Sequence, residues 1–174
     1  MLKLKLIRKI LNRKGQSIVE VSLIAPLLLV ALYVPADFGI AMFTAHLTQN
    51  AVREAARIGV STKDPFDSPA GTAIANWLLD PTNPMRIPAR LTAVTVTVDY
   101  YGPAAATCMQ SVAVTARGNY NYFFYQLMRM LGATVPNSVA ITRTSRMWYE
   151  FQPYTNATPM CGPTPSQTST ASRS

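Results

Sequence analysis

Twenty-three consecutive residues, Val21 to Phe43, carry a single charge, Asp37. A helix of that length, rising 1.5 Å per residue, crosses a hydrocarbon core of about 30 Å. Twelve of the twenty-three are Leu, Ile, Val or Phe. Together they favour insertion by roughly 4 to 7 kcal/mol, against penalties from Asp37, Pro26 and Pro35. Insertion is the net expectation, so whatever folds after this segment folds on one side of a membrane. Pro26 and Pro35 each remove a backbone hydrogen bond and are expected to kink or locally melt the helix.

The charge distribution gives the orientation. Six of the sixteen Lys and Arg residues (Lys3, Lys5, Arg8, Lys9, Arg13, Lys14) precede Gly15 with no acid among them, so a net charge of +8 falls to +2 without this leader. The remaining basic residues are scattered, which argues against nucleic-acid binding. A Lys/Arg-rich flank stays cytoplasmic, placing the N-terminus inside and everything after about residue 43 outside. A secretory signal peptide is the alternative, with an apolar region from Val21 to Val34 and a cut near Ala36 in Val34-Pro35-Ala36. Against it stand the long basic region, the acid Glu20 at the entrance of the apolar run, and the unbroken helical chemistry of Asp37-Phe38-Gly39-Ile40.

Beyond the span, Phe43, Leu47, Ala51, Ala55 and Ile58 keep a spacing near 3.6, while Gln49, Asn50, Arg53, Glu54 and Arg57 occupy other faces. The pattern predicts one helix from about Ser17 to Val60, roughly 65 Å long, stopped by Gly59 and the Asp-, Pro- and Ser-rich stretch Ser61 to Pro69. Ala41, Ala45, Ala51, Ala55 and Ala56 are small enough to let other helices approach. Glu20 stands out at the membrane edge. An acid at the centre of a spanning helix costs roughly 2.5 to 3.5 kcal/mol, so Glu20 needs a boundary location, a partner, or both.

Gly15-Gln16 with Glu20, the opening Val21-Ser22-Leu23-Ile24-Ala25-Pro26-Leu27, and the later Gln49-Asn50-Ala51-Val52-Arg53-Glu54-Ala55-Ala56-Arg57 closely resemble the TadE-like pseudopilins of the tight-adherence branch of type IV pilin-like proteins. The match covers about residues 13 to 60; many relatives carry an aromatic residue after the glutamate where this chain has Val21. The resemblance implies cleavage between Gly15 and Gln16 by a prepilin peptidase, with the apolar helix retained in the bacterial inner membrane. It implies as partners other pilin and pseudopilin subunits, the peptidase, the inner-membrane assembly machinery and the lipid bilayer. The freed Gln16 amine is a cation at the membrane boundary, and Glu20, of the same or an incoming subunit, is its natural counter-charge. Glu20 is thereby the expected assembly residue, setting axial register.

The expected fold class is α+β: a long N-terminal transmembrane helix continuing into a small extracytoplasmic domain with a short antiparallel sheet. The chain divides into a leader (1–15), the helix (16–60, spanning at about 21–43), a head (61–151) and a Pro/Ser/Thr-rich tail (152–174) expected to be flexible. In the head, Thr72 to Leu79 reads as a short helix. Val94, Val96, Val98 and Tyr100 alternate with Thr95, Thr97 and Asp99, the signature of a half-buried strand. A second strand near Gln110 to Asn119, with Val112, Val114 and Ala116 on one face, completes a hairpin. Tyr122 to Leu131 reads as a short apolar helix stopped by Gly132, and Ser138 to Phe151 as a third strand. The sheet is expected to pack on the long helix. The aromatic cluster Tyr120, Tyr122, Phe123, Phe124 and Tyr125 is either core or contact surface.

Cys108 and Cys161 show no CxxC spacing, so neither zinc nor a redox motif is suggested, and an oxidising compartment favours a disulfide between them. Closing a loop of about fifty residues stabilises by roughly 4 kcal/mol in the chain-entropy model. Asn156-Ala157-Thr158 fits a glycosylation sequon that reads as incidental. Catalysis finds no support: the single His46 follows the span, there is no Gly-rich phosphate loop, and no pair of carboxylates suits acid–base work, so no catalytic residue, metal or cofactor is expected. The expected function is a minor pilin-like subunit of a surface pilus or related secretion filament. The alternatives are a secreted soluble binding protein cut near Ala36 and a single-pass membrane-anchored enzyme or sensor.

Overall fold

The element order is α1 (Leu2–Ser61), α2 (Pro69–Leu79), β1 (Leu91–Tyr101), β2 (Ser111–Asn121), α3 (Phe123–Met130), β3 (Ser138–Trp148) and β4 (Gln167–Arg173). The computed structural model describes residues 2–61, 69–102, 108–130, 132–149 and 160–174, with α1 side chains described from Ser17 onward. The four strands form one antiparallel sheet in the order β3-β2-β1-β4. The fold is α+β, and the expected hairpin is the β1–β2 pair, in register from Leu91 opposite Tyr120 to Tyr101 opposite Ser111. Two compact units are present, Met1–Gly39 and Ile40–Ser174. The second takes in residues 40–61 of α1 and all of β4, both of which the sequence reading kept apart from the head.

Period-2 patterning decides which face of the sheet is covered. Val94, Val96, Val98 and Tyr100 of β1 are fully buried, as are Val112 and Val114 of β2, while Thr95, Thr97 and Asp99 alternate with them on the more open face. A bulge between Thr92 and Thr95 shifts the register, with Ala93 in the left-handed region at φ 49°. A small side chain there limits the steric cost.

Helix α1 covers the sheet with a different stripe from the one its larger side chains predict. Phe43 is 62% exposed and Leu47 40%. The buried positions are small: Ala41, Thr44, Ala45, Thr48, Ala51, Val52, Ala55 and Ala56. The alanines read as room for other helices are thus buried in this chain's own core. Gly59 lies against β2: a Cβ there would stand 3.0 Å from Val112 Cγ1. The Tyr149 hydroxyl donates to the Gly59 carbonyl at 3.2 Å. Thr44 and Thr48 return their hydroxyls to the carbonyls of Ile40 and Thr44, each at 2.8 Å, so the buried stripe carries no unpaired hydroxyl from these two.

Helix α1 remains helical through Pro26 and Pro35 and ends at Ser61, close to the expected stop. Most of the Asp-, Pro- and Ser-rich stretch assigned as that stop, residues 62–68, lies outside the described residues, as does the sequon at 156–158.

The expectation of a mobile tail fails at its far end. Residues Gln167–Arg173 pair with β1 from Tyr100 opposite Gln167 to Val94 opposite Arg173. Thr168 Oγ1 donates to Asp99 at 2.6 Å, and the Arg173 guanidinium donates to the carbonyls of Pro88 and Leu91 at 3.1 and 3.2 Å. Thr and Ser here alternate between the two faces, and the β1 edge supplies unpaired backbone groups that favour pairing. Composition alone does not distinguish such a strand from a polar linker.

Candidate functional site

Between Ser17 and Phe38, α1 leaves most of its apolar side chains exposed. Ile18, Leu23, Leu27 and Leu32 are 71%, 74%, 70% and 68% exposed, and the helix Ser17–Ser61 is long and apolar enough to cross a membrane. Leaving such side chains in water forfeits about 1.5 to 3 kcal/mol each relative to burial. A helix with so many apolar side chains exposed therefore calls for lipid or other helices around it. Ser22 bonds back to the Val19 carbonyl at 2.8 Å, so its hydroxyl is satisfied without water.

Gly15, Gln16 and Glu20 all lie on α1. Gln16 and Glu20 are four residues apart in the chain, and Glu20 is exposed. Asp37, the single charge of the run from Val21 to Phe43, is buried at 5% exposure. His46 is exposed. At the far end of the long helix, Arg57 grips Glu54 with two hydrogen bonds of 2.6 and 3.0 Å. The guanidinium holds the Glu54 carboxyl below its ordinary range, and the carboxylate raises the Arg57 pKa in return.

In the second unit, Cys108 and Cys161 form a disulfide with Cα atoms 5.0 Å apart. The bond lies against Gly102, whose φ of 103° and close approach to Cys161 Sγ both suit glycine. The Gly102 amide donates to Ser166 Oγ at 3.0 Å. The segment leading to β4 is thereby tied to the end of β1. The aromatic cluster divides: Tyr120 and Phe124 are buried, Tyr122 and Tyr125 are half-buried with ring centroids 4.7 Å apart, and Phe123 is 80% exposed. Among the described residues, no three His, Cys, Asp or Glu side chains converge as metal ligands.

Residues 15–57 match the TadE-like protein family. No curated protein and no solved structure matches the chain. The TadE-like segment starts at Gly15, takes in the exposed apolar helix and ends at Arg57 of the ion pair. It points to a pilus-assembly-related, pilin-like protein with an N-terminal apolar helix.

Sequence reasoning missed two features. The small-residue face of the TadE-like helix is recognisable from Ala41, Thr44, Ala45, Thr48 and Val52 once size, and not only polarity, is tracked. Arg146 sits between the rings of Tyr101 and Trp148, 4.3 and 4.9 Å from their centroids, and donates to Ser111 Oγ at 2.8 Å. No local motif announces that stack, because its three main members come from two strands.

Proposed function

We propose that this protein is a membrane-anchored pseudopilin-like subunit that takes part in assembling a surface pilus or related secretion filament. One observation carries the reading: the TadE-like match at residues 15–57 coincides with a helix whose apolar side chains from Ile18 to Phe43 are largely exposed. In a filament, packed copies or relatives of that helix cover one another; before assembly, lipid covers it.

In this reading the basic leader stays in the cytoplasm and a prepilin peptidase cuts between Gly15 and Gln16. The new Gln16 amine meets the Glu20 carboxylate of an incoming subunit. Taking two charges out of water costs several kcal/mol each, and only their mutual pairing offsets that cost, so an out-of-register subunit is rejected. The domain formed by Ile40–Ser174 is extracytoplasmic, a location that suits the Cys108–Cys161 disulfide. The inner-membrane machinery extrudes the polymer, and no catalytic step is assigned to this chain.

The rival reading, a secreted protein cut near Ala36, is favoured by one fact: the second compact unit begins at Ile40 and survives such a cut whole. Intact-mass measurement with N-terminal sequencing of the protein extracted from membranes separates the two. A mature chain beginning at Gln16 is expected; one beginning at Asp37 overturns the pseudopilin reading.

A further inference from the structure

Within the second unit, the helix–sheet packing has a direction. Gly59 lies against Val112 near the start of β2, and Gln49 Nε2 donates to the carbonyl of Thr144, which stands opposite Thr115. Residue numbers on α1 therefore fall as those on β2 rise. From Val112 to Tyr120 the strand advances about 26 Å at 3.3 Å per residue, equivalent to about seventeen helical residues. By this measure the Tyr120 end of the sheet lies level with α1 near residue 41, where the buried face of the helix begins in this unit with Ala41.

Helix α3 is attached at that end: it follows Asn121 directly, and the Tyr122 amide donates to the Asn137 carbonyl at 2.9 Å. Phe124 is turned inward, but Phe123 and Met130, two turns apart on one face, are 80% and 84% exposed. Level with them on α1, Ile40, Met42 and Phe43 are 39%, 46% and 62% exposed. Two elements thus present large apolar side chains at the same end of the unit, and on α1 these residues are the last of the predicted span. Arg129 of α3 and Arg90, just before the residue paired with Tyr120, are exposed alongside. The stretch from Tyr100 to Tyr149 contains four arginines and no Asp or Glu.

We propose that α3 is a membrane-resting foot: Phe123 and Met130 enter the headgroup–acyl boundary of the bilayer crossed by α1, and Arg129 and Arg90 meet anionic headgroups. Aromatic side chains are favoured at that depth, with tyrosines such as Tyr122 and Tyr125 suited to its polar side. Each arginine near an anionic surface adds about 1 kcal/mol. The foot rests on the membrane-spanning reading of α1. It holds α3 to the lipid while the subunit waits in the membrane, and it must lift off when the subunit is drawn into a filament.

The test uses the full chain in vesicles of phosphatidylethanolamine and phosphatidylglycerol. Single cysteines are placed at Phe123→Cys, Met130→Cys, Leu28→Cys and Thr144→Cys and spin-labelled, with the native disulfide kept oxidised and checked by mass. Collision rates with oxygen and with a water-soluble nickel chelate are then compared. Oxygen should dominate at 123 and 130, as at 28, and the chelate at 144. If 123 and 130 behave like 144 while 28 is lipid-exposed, the foot is refuted and the span stands. If 28 is also water-exposed, the span itself fails. Shielding of 123 and 130 from both reagents means that protein covers them, which also overturns the proposal.

Discussion

Gly71 of α2 lies flat against Ser169 of β4, so close that a Cβ on residue 71 would stand 2.5 Å from Ser169 Oγ and 2.8 Å from its Cβ. Ser169 is buried in the middle of its strand and Tyr100 lies 3.2 Å from the same point, so little can give way. Gly71→Val should destabilise the second unit by about 1 to 3 kcal/mol, the usual cost of overpacking. The loss should be local: hydrogen exchange of the β4 amides accelerates first, while the β2–β3 ladder keeps its protection. Uniform acceleration across all four strands would show that β4 is not a separable layer.

The disulfide closes a loop between residues 53 positions apart. Chain entropy puts its contribution at about 4 kcal/mol. Denaturant unfolding of the detergent-solubilised chain with and without reductant should show a loss of unfolding free energy of that order. Cys108→Ser/Cys161→Ser should match the reduced protein.

Glu20→Ala tests the assembly role. Cleavage between Gly15 and Gln16 should continue at close to the normal rate, because the peptidase acts before subunits meet. Filament incorporation should be lost. Processing and pilus yield measured on the same cells separate the two effects, and normal pili in the variant remove Glu20 from the mechanism.

Alkaline pH should weaken the head through Tyr100. Burial pushes its phenol above the ordinary tyrosine value, so the folded state holds the proton more tightly than the unfolded chain. The contribution is complete below the unfolded pKa, about 10, and is lost as pH rises through the folded value. Absorbance at the tyrosinate band should show one tyrosine that ionises only as the head unfolds.

Much of this fold is written in alternation. β1 and β2 declare themselves because Val94, Val96, Val98 and Val112, Val114 repeat every second residue against threonines. The buried face of α1 was hidden by size. Phe43 and Leu47 draw the eye to the wrong stripe, since the face of α1 turned to the core carries small residues instead. β4 escaped notice because Thr168, Thr170 and Ser172 read as a soluble linker unless the free edge of β1 is known. At the candidate site, Gly15, Gln16 and Glu20 are singled out by the resemblance they share with TadE-like proteins, and their processing and assembly roles remain proposals. The exposure of Phe123 is not legible in the sequence, because Phe123 and Phe124 are identical in type and only the docking of α3 turns one inward and the other out.

β4 follows the other three strands in the chain yet pairs with the first. As the chain emerges N-terminus first, β1 therefore appears early and keeps one bare edge until some sixty-six further residues, from Gly102 to Gln167, have followed. An exposed edge strand invites pairing with a neighbour. The folding clock of the head is thus set by when the chain delivers that closing strand, which leaves an interval in which a chaperone can shield the bare edge.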